Sequence, residues 1–359
     1  MKRTTLIVAA LFACILCSAE TIKGSDSKVT YIGRTEVADD GSVSFDWSAT
    51  TIKLKFKGKT LVIACSSTKK DFFNLWLDGE QKAIEDKILK VEGDALVTVF
   101  NAKKAGEHTV ILQKRTEGEQ GTVTVREFTT DGNFLDAPAP KSRLIEFIGD
   151  SYTCGYGTEA LRRSDPFRPE EENPARTYAD ILARMYGAEA VHISHSGRGI
   201  IRNYGDYNEH ENMVKLYAQT FDQFKEDAWE PTYKPDIVVI YLGTNDFSTG
   251  KQPNPGPWCE NYKKLLKKVR EFHGPSVPIL CLASPCDELM DDYVQEAVKR
   301  CGIDGVHFAS ILPGCYRMDD EDLGASWHPN YNGHRKIASV VAPYISTLTG
   351  WDLPVWFNE

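Results

Sequence analysis

The hydrophobic pattern changes its period once, near residue 140, and this change constrains the fold more than any other feature of the sequence. Before it, apolar and polar residues alternate: in TIKLKFKGK, Ile52, Leu54 and Phe56 fall on one face and lysines on the other. A period of two is typical of a half-buried antiparallel strand. Turn sequences such as DDGS, LDGE and TDGN separate successive runs. We therefore expect residues 28–135 to form an all-β sandwich of the jelly-roll type.

The second half of the chain alternates apolar runs with segments of helical period. The runs RLIEFIG, AVHIS, DIVVIYLG and VPILCLAS read as strands, and the unbroken apolar stretch from Ile237 to Leu242 suits a parallel strand that is buried on both faces. Between the runs, apolar residues recur at helical spacing. After the short proline-containing linker DAPAPKSR, residues 143–359 are expected to form a three-layer α/β/α domain with a mostly parallel sheet.

The first 19 residues have the features of a secretory signal peptide. Lys2 and Arg3 precede the apolar stretch Leu6–Leu16, and small residues follow it. We expect a secreted or periplasmic protein, with a lipid anchor at Cys14 in the lipobox-like LFAC as the alternative. No later apolar run reaches the roughly 20 residues that a membrane span needs.

Charge and cysteine content narrow the choice of partners. The formal charge of −9 becomes more negative when Lys2 and Arg3 leave with the signal peptide. An acidic exported protein is repelled by phosphate backbones, so we expect no nucleic-acid partner. Seven cysteines follow the signal peptide, an odd number that leaves at least one free or paired outside the chain, with the pairing open. They are Cys65, Cys154, Cys259, Cys281, Cys286, Cys301 and Cys315.

Four residues that could take part in catalysis follow predicted strands of the second half. They are Ser151 in FIGDSYTCGYG, Gly197 in HISHSGRGI, Asn245 in YLGTNDFS and His328 in GASWHPNYNGH. Each by itself is more often an ordinary turn or structural residue. Because the carboxyl ends of parallel strands meet at one edge of a sheet, we expect the four to lie together.

This set of residues has the parts that acyl transfer needs: a nucleophile, a base and donors for an oxyanion. Ser151 can attack, and His328 can take its proton. The backbone N–H groups of Ser151 and Gly197 and the side-chain amide of Asn245 can supply three oxyanion donors. The residues alone predict serine-type acyl hydrolysis.

The blocks GDS, the glycine of HSGRG, GTND and the histidine of WHP resemble, in this order, those of the SGNH (GDSL) hydrolase superfamily. With a β-sandwich ahead of them, IGDSYTCGYG, SGRGI and LGTNDFS are similar to carbohydrate esterase family 2. The resemblance implies removal of O-acetyl groups from plant polysaccharides such as xylan and glucomannan, without metal or organic cofactor. It implies that Ser151 is the nucleophile, that His328 is the acid/base, and that Ser151, Gly197 and Asn245 form the oxyanion hole.

The sequence departs from a complete catalytic triad just before the histidine. The places three and two residues ahead of His328 hold Ala325 and Ser326, which carry no negative charge. Some members of the resembled family use a Ser–His dyad in which a backbone carbonyl orients the ring, and we expect this kind here. The alternative is a carboxylate that a loop brings back to the ring, from Asp319, Asp320 or Asp322.

Four tryptophans are candidates for contact with sugar rings. Trp327 and Trp258 are predicted to bind substrate, whereas Trp47 and Trp76 are predicted to lie in the β core. Two other functions stay open. One is a lipid esterase or thioesterase that uses the same machinery, and the other is a carbohydrate-binding protein whose esterase site has decayed, as the missing carboxylate suggests.

Overall fold

The computed structural model describes residues 19–205, 211–223, 227–284, 288–312 and 314–353. The predicted signal peptide, residues 1–19, lies outside them except for its last residue and stays a prediction. Thirteen strands are described, eight in a first, β half and five in a second, α/β half. The strands are β1 Glu20–Lys23, β2 Val29–Ile32, β3 Glu36–Val37, β4 Val43–Phe45, β5 Thr51–Leu77, β6 Lys87–Lys114, β7 Val123–Thr130, β8 Asn133–Leu135, β9 Leu144–Gly149, β10 Glu189–Ser194, β11 Ile237–Tyr241, β12 Ile279–Ala283 and β13 Val306–Ser310.

The β half is one antiparallel sheet, which confirms the all-β prediction for this part of the chain. The order β2-β5-β7-β4-β3 forms its path, with β6 and β8 paired to β5 and β1 paired to β7. Ile52, Leu54 and Phe56 point into its apolar core, as their period of two predicts. The opposite face is not all exposed, because Lys53 is buried in an ion pair with Glu189 of the α/β half. The jelly-roll topology stays a prediction.

The α/β half has the predicted three layers. Its five strands are parallel, in the order β10-β9-β11-β12-β13, and the four predicted strands are confirmed. The described α-helices are α1 Ser151–Cys154, α2 Tyr178–Met185, α3 Met213–Leu216, α4 Pro255–His273, α5 Glu288–Cys301 and α6 Tyr331–Thr349. Apolar residues of α2 and α6 pack on one face of the sheet, and those of α4 and α5 on the other. Both faces of β11 are therefore covered, which explains its unbroken apolar sequence.

The two halves share a hydrophobic core. Ile32 and Trp47 of the β half pack among residues of the α/β half, and the indole N–H of Trp47 donates to the Thr220 carbonyl over 2.8 Å. The Arg34 guanidinium lies 3.7 Å from the ring centre of Trp229. Trp47 and Trp76 are both buried, as predicted, but outside the β core: Trp47 lies in the core shared with the α/β half, and Trp76 packs with Ile111 and with Ala175 of the α/β half.

The described residues bear on two expectations, one about membrane spans and one about cysteine pairing. None of their helices combines the length and apolar character needed to cross a bilayer. The structure describes six of the seven cysteines that follow the predicted signal peptide, and all six are free thiols. Cys286 lies outside the described residues.

Candidate active site

Ser151 stands at the sharp turn where β9 ends and α1 begins. Asp150 caps the helix, since its carboxylate accepts a hydrogen bond from the Tyr152 N–H at 3.1 Å. The turn leaves no room for a side chain at Gly149, where a Cβ would lie 1.9 Å from the Thr153 hydroxyl oxygen. Since the first N–H groups of a helix have no acceptor within it, the Ser151 N–H is available to a ligand.

His328 meets Ser151 although 177 positions separate them in the chain. The Ser151 hydroxyl donates to Nε2 of the imidazole over 2.8 Å, a good hydrogen-bond length. The predicted nucleophile and the predicted base are therefore in direct contact.

The other ring nitrogen of His328 faces backbone oxygens. Its Nδ1 lies 3.0 Å from the Ser326 carbonyl oxygen and 3.3 Å from that of Ala325. The backbone reaches this arrangement through two left-handed residues in a row, Ser326 with φ 52° and Trp327 with φ 64°. Such angles are costly for residues other than glycine, so neighbouring structure must hold them.

The segment from Gly157 to Asp165 supplies that support. The N–H groups of three successive residues, Ala325, Ser326 and Trp327, donate to its carbonyls over 3.1, 3.0 and 3.0 Å. Close packing also matters, because a Cβ at Gly157 would lie 2.4 Å from Cβ of Ala325. The carbonyl that faces the imidazole is thus positioned by a loop more than 150 residues away in sequence.

The three aspartates that were the alternative partners of His328 are engaged elsewhere. Asp319 pairs with Arg317 at 2.7 Å, and Asp320 accepts from the Arg163 N–H at 3.0 Å. Asp322 is buried. Its carboxylate accepts from the backbone N–H of Arg317 at 2.6 Å and forms an ion pair with Lys336. Among the described residues, no carboxylate is a hydrogen-bond partner of His328.

Changing these aspartates should therefore leave the chemistry nearly intact. We expect kcat on 4-nitrophenyl acetate to stay within about 2-fold of wild type for Asp319→Asn and Asp320→Asn. Asp319 loses only an exposed ion pair, which is worth little, and an asparagine at position 320 keeps an oxygen that can accept from the Arg163 backbone N–H. Asp322→Asn should lower the melting temperature rather than kcat, since it leaves Lys336 without its partner. A loss of kcat approaching ~10⁴, the penalty for removing a triad acid, would contradict this placement.

Gly197 and Asn245 lie at the same edge of the sheet. Gly197 follows β10 with φ 76°, and Asn245 lies in the turn Thr244–Phe247 after β11. The amide of Asn245 donates to the Arg198 carbonyl at 2.9 Å and, more weakly, to the Asp150 carboxylate at 3.2 Å. The structure thus brings the four predicted residues to one place, although β12 and β13 intervene in the chain before His328.

Two adjoining clefts, of about 370 and 300 Å³, open onto this place. Ser151, Asn245 and His328 line both, together with the exposed Tyr204. Volumes of this size are ordinary for small-molecule sites. A substrate can therefore reach the serine–histidine pair from solvent.

Asp246 is a supporting residue that the sequence analysis did not single out. Its buried carboxylate accepts from the N–H groups of Ile200, Ile201 and Arg202 at 2.9, 2.8 and 3.1 Å. It thereby ties the turn after β11 to the loop that contains Gly197. Burial raises the pKa of Asp246 to about 6 and that of Asp150 to about 7. The sequence feature that could have indicated this residue is its position next to Asn245 in GTND.

Glu117 brings the β half into the site. Its carboxylate accepts from the Ser196 N–H at 2.6 Å, immediately before Gly197. Its neighbour Gly118 donates to the Asp222 carboxylate at 2.8 Å. No local pattern could have indicated Glu117, because its partners come from another part of the chain.

Two groups of side chains in the described residues could hold a metal ion. One is Glu117, Cys154 and Glu172, and the other is Glu117, His195 and Asp222, with possible ligand atoms within 4.8 Å of one another in each. All are buried behind the clefts, and His195 already contacts Asp222 at 2.5 Å. These residues connect the two halves and do not line the clefts.

The two tryptophans predicted to bind substrate have different surroundings. Trp327 is 52% exposed, lines the larger cleft and has the Arg163 guanidinium 4.7 Å from its ring centre. Trp258 is fully buried, with Tyr262 at 5.1 Å and Tyr293 at 5.5 Å between ring centres. The prediction that Trp258 binds substrate is wrong. Trp258 lies on the buried, apolar face of α4, where its indole packs against the turn at Gly243.

Fold and site together define a hydrolase of the GDSL type, and comparisons with known proteins agree. Residues 147–336 match the model of the GDSL-like Lipase/Acylhydrolase family, and residues 31–138 match that of the Carbohydrate esterase 2 N-terminal domain. The chain belongs to carbohydrate esterase family 2, whose members are carboxylic ester hydrolases.

Individual relatives support this membership. A family two carbohydrate esterase from Clostridium thermocellum, solved in complex with cellohexaose, is 31% identical, with a TM-score of 0.82 over 90% of this chain and 100% of that one. Cellulase/esterase CelE of Acetivibrio thermocellus is 31% identical over 90% of this chain, which spans 40% of that protein's length. An acetylxylan esterase / glucomannan deacetylase of Cellvibrio japonicus is 26% identical over 94% of this chain and 93% of its own length.

Proposed function

We propose that this protein removes O-acetyl groups from plant cell-wall polysaccharides such as xylan and glucomannan. The observation that supports this most directly is the 2.8 Å contact between Ser151 Oγ and His328 Nε2 at the foot of an open cleft. The substrate class is supported by relatives described as acetylxylan esterases and glucomannan deacetylases. No step of the mechanism below requires a metal or an organic cofactor.

In acylation, Ser151 Oγ attacks the carbonyl carbon of the acetyl ester while its proton passes to Nε2 of His328. The tetrahedral intermediate collapses when the bond between that carbon and the sugar oxygen breaks, and the imidazolium gives the proton to this leaving oxygen, which becomes the sugar hydroxyl. The products of this half-reaction are a deacetylated sugar and an acetyl ester on Ser151.

In deacylation, water takes the place of the sugar hydroxyl. His328 removes a proton from the water as it attacks the acetyl carbon, and the proton then goes to Ser151 Oγ as acetate leaves. Nδ1–H of the ring donates to the Ser326 carbonyl throughout, which keeps Nε2 free to exchange protons. His328 thus works as the base of a Ser–His dyad oriented by a carbonyl.

The oxyanion of each tetrahedral intermediate is held by three donors in this proposal. They are the N–H groups of Ser151 and Gly197 and the amide of Asn245. Both amide hydrogens of Asn245 have acceptors in the free protein, so the oxyanion must share the longer bond, that to Asp150 at 3.2 Å. A carboxyl group with a raised pKa is a weaker competitor for this hydrogen when it is protonated.

Trp327 is proposed as the sugar platform. Arg163 covers part of the indole, while half of the residue's surface stays open beside the larger cleft. An exposed aromatic ring offers a flat apolar surface to a sugar ring. Trp327→Ala is expected to raise KM for acetylated oligosaccharides several-fold and leave kcat on 4-nitrophenyl acetate unchanged, whereas equal losses on both substrates would contradict this role.

Acetate release from a panel of esters tests the substrate class. We expect release from acetylated xylan and acetylated glucomannan and little from long-chain acyl esters. Faster cleavage of long-chain esters would favour the lipid esterase or thioesterase, and absence of any turnover together with binding to the glycans would favour the carbohydrate-binding protein.

The protonation of His328 gives a second test. Burial lowers its pKa from 6.5 to about 4, since the neutral imidazole is favoured where its charged form is poorly solvated. We therefore expect the ring to be neutral, and competent as a base, from about pH 5 upward, with protonation only as the pH falls through about 4. NMR titration of labelled histidine, assigned with His328→Gln, measures the midpoint, and circular dichroism checks folding at each pH. A midpoint at or above 6.5 would require a nearby negative charge.

We also propose that the protein is exported, on the basis of its N-terminal sequence. Cell fractionation followed by mass spectrometry of the mature N-terminus distinguishes cleavage after Ala19 from lipidation at Cys14.

A further inference from the structure

His328 forms a cation during the proposed reaction, and no carboxylate of the described residues is hydrogen-bonded to it. In a triad, the buried acid orients the ring and also offsets the positive charge of the imidazolium. Here the carbonyl of Ser326 can do the first, at 3.0 Å from Nδ1, but it has no full negative charge for the second. Some other group near the ring has to reduce the cost of this charge.

The face of His328 is covered by an aromatic ring. The ring centre of Tyr156 lies 4.5 Å from that of His328, with 33° between the planes, and Phe167 stacks on Tyr156 at 4.0 Å and 20°. Tyr152 approaches from another direction, at 5.4 Å and 72°. The three rings Phe167, Tyr156 and His328 therefore form a continuous stack beside the cleft.

The backbone places Tyr156 in this stack through two glycines. Gly155 has φ 90° and Gly157 has φ 62°, and both are closely covered. A Cβ at Gly155 would lie 2.6 Å from the Asn173 carbonyl, and one at Gly157 would lie 2.4 Å from Cβ of Ala325. The same packing that turns the Ser326 carbonyl toward His328 thus also fixes the tyrosine ring against it.

We infer that Tyr156 stabilises the imidazolium of His328 through the face of its ring, and so replaces the charge-stabilising part of the missing carboxylate. The face of an aromatic ring carries negative electrostatic potential and attracts a cation within about 6 Å, most strongly where water is excluded. Tyr156 also lines the smaller cleft, but in this inference it acts on the reaction through His328, so it is a positioning residue. The inference rests on the proposed Ser–His mechanism.

Among the described residues, the other groups considered around the ring do not provide this negative charge. Tyr152 and Tyr156 are the titratable side chains in ring contact with His328. His334 lies near enough to be affected by its charge, but burial lowers the pKa of His334 to about 3 and keeps it neutral. Burial also raises the pKa of Tyr156, so its hydroxyl stays protonated. Arg163, next to the loop, is itself a cation.

Fluorinated phenylalanines at position 156 isolate the charge of the ring face from its shape. Each added fluorine draws electron density from the face and changes the volume little. Starting from Tyr156→Phe, we expect the difluoro and trifluoro derivatives to lower kcat/KM on 4-nitrophenyl acetate in steps, about 10-fold in all. The NMR midpoint of His328 should fall in parallel, by about 1 pH unit.

The same series at position 167 is the matched control, because Phe167 contacts Tyr156 and not His328. Changes at 167 should stay within about 2-fold, since a cation–π contact requires proximity to the charge. A flat series at position 156, or equal slopes at the two positions, would overturn the inference. Melting temperatures verify that every derivative is folded.

The test separates this inference from the proposed function. If Ser151→Ala keeps its turnover, the proposed mechanism fails, yet the His328 midpoint still reports whether the ring at 156 stabilises the imidazolium. If Ser151→Ala is inactive and the titration midpoint of His328 does not change across the fluorinated series, only the role of Tyr156 fails.

Discussion

Ser151→Ala is expected to lower kcat on 4-nitrophenyl acetate by roughly 10⁴-fold or more, the scale of loss when a serine nucleophile is removed. The reason is that no other hydroxyl in the described residues is a hydrogen-bond partner of His328 Nε2. The fold should be unaffected, because the change removes one oxygen atom from the wall of an open cleft. Rates of acetate release and thermal unfolding measured on the same preparations check both statements.

Ser196→Ala is the matched control for this variant. Ser196 lines the smaller cleft beside Gly197, and its hydroxyl has no hydrogen-bond partner in the described part of the chain. We expect Ser196→Ala to retain nearly full activity. Near-normal turnover by Ser151→Ala, or an equal loss in the two variants, would reject Ser151 as the nucleophile.

Asn245→Ala is expected to have the second largest effect, a loss of about 10²–10³ in kcat with little change in KM. An oxyanion donor interacts with charge that develops in the transition state, so its removal raises the barrier without weakening ground-state binding. Steady-state kinetics with 4-nitrophenyl acetate separate the two parameters.

Structural damage must be separated from the loss of a donor, because Asn245 also joins Arg198 to Asp150. Ser248→Ala is the control, since the Ser248 hydroxyl donates to the backbone carbonyl of Asn245 at 2.7 Å and so supports the same turn without being one of the proposed oxyanion donors. We expect Ser248→Ala to cost stability more than kcat. A loss that Asn245→Ala shows only in KM would argue against an oxyanion role.

The β half contributes residues that support the site. Glu117 reaches across and holds the N–H of Ser196, next to the loop glycine that is proposed to bind the oxyanion. Lys53 and Trp47, which a reading of one strand at a time leaves as a surface lysine and a tryptophan of the β core, are buried between the halves. The β half therefore gives structural support to the clefts.

The sequence by itself determined the two fold types and which candidate site residues would lie together. The spacing of apolar residues, with a period of two in the first half and helical spacing between the apolar runs of the second, is a local property of the sequence. It predicted the antiparallel sheet and the α/β layers correctly. Ser151, Gly197 and Asn245 lie within a few residues of the ends of β9, β10 and β11. Because parallel strands end at one edge of a sheet, their proximity followed from topology alone.

Only the tertiary structure decided which partner faces His328 and which aromatic rings surround it. The Ser326 carbonyl points at Nδ1 because a distant loop holds two residues at positive φ, and such angles cannot be read from the residue types Ser and Trp. Trp258 and Trp327 look alike in the sequence, but one lies on the inner face of a helix and the other in an exposed turn. Tyr156 lies against the imidazole because Gly155 and Gly157 on either side of it pack closely on distant segments, which the local sequence does not reveal.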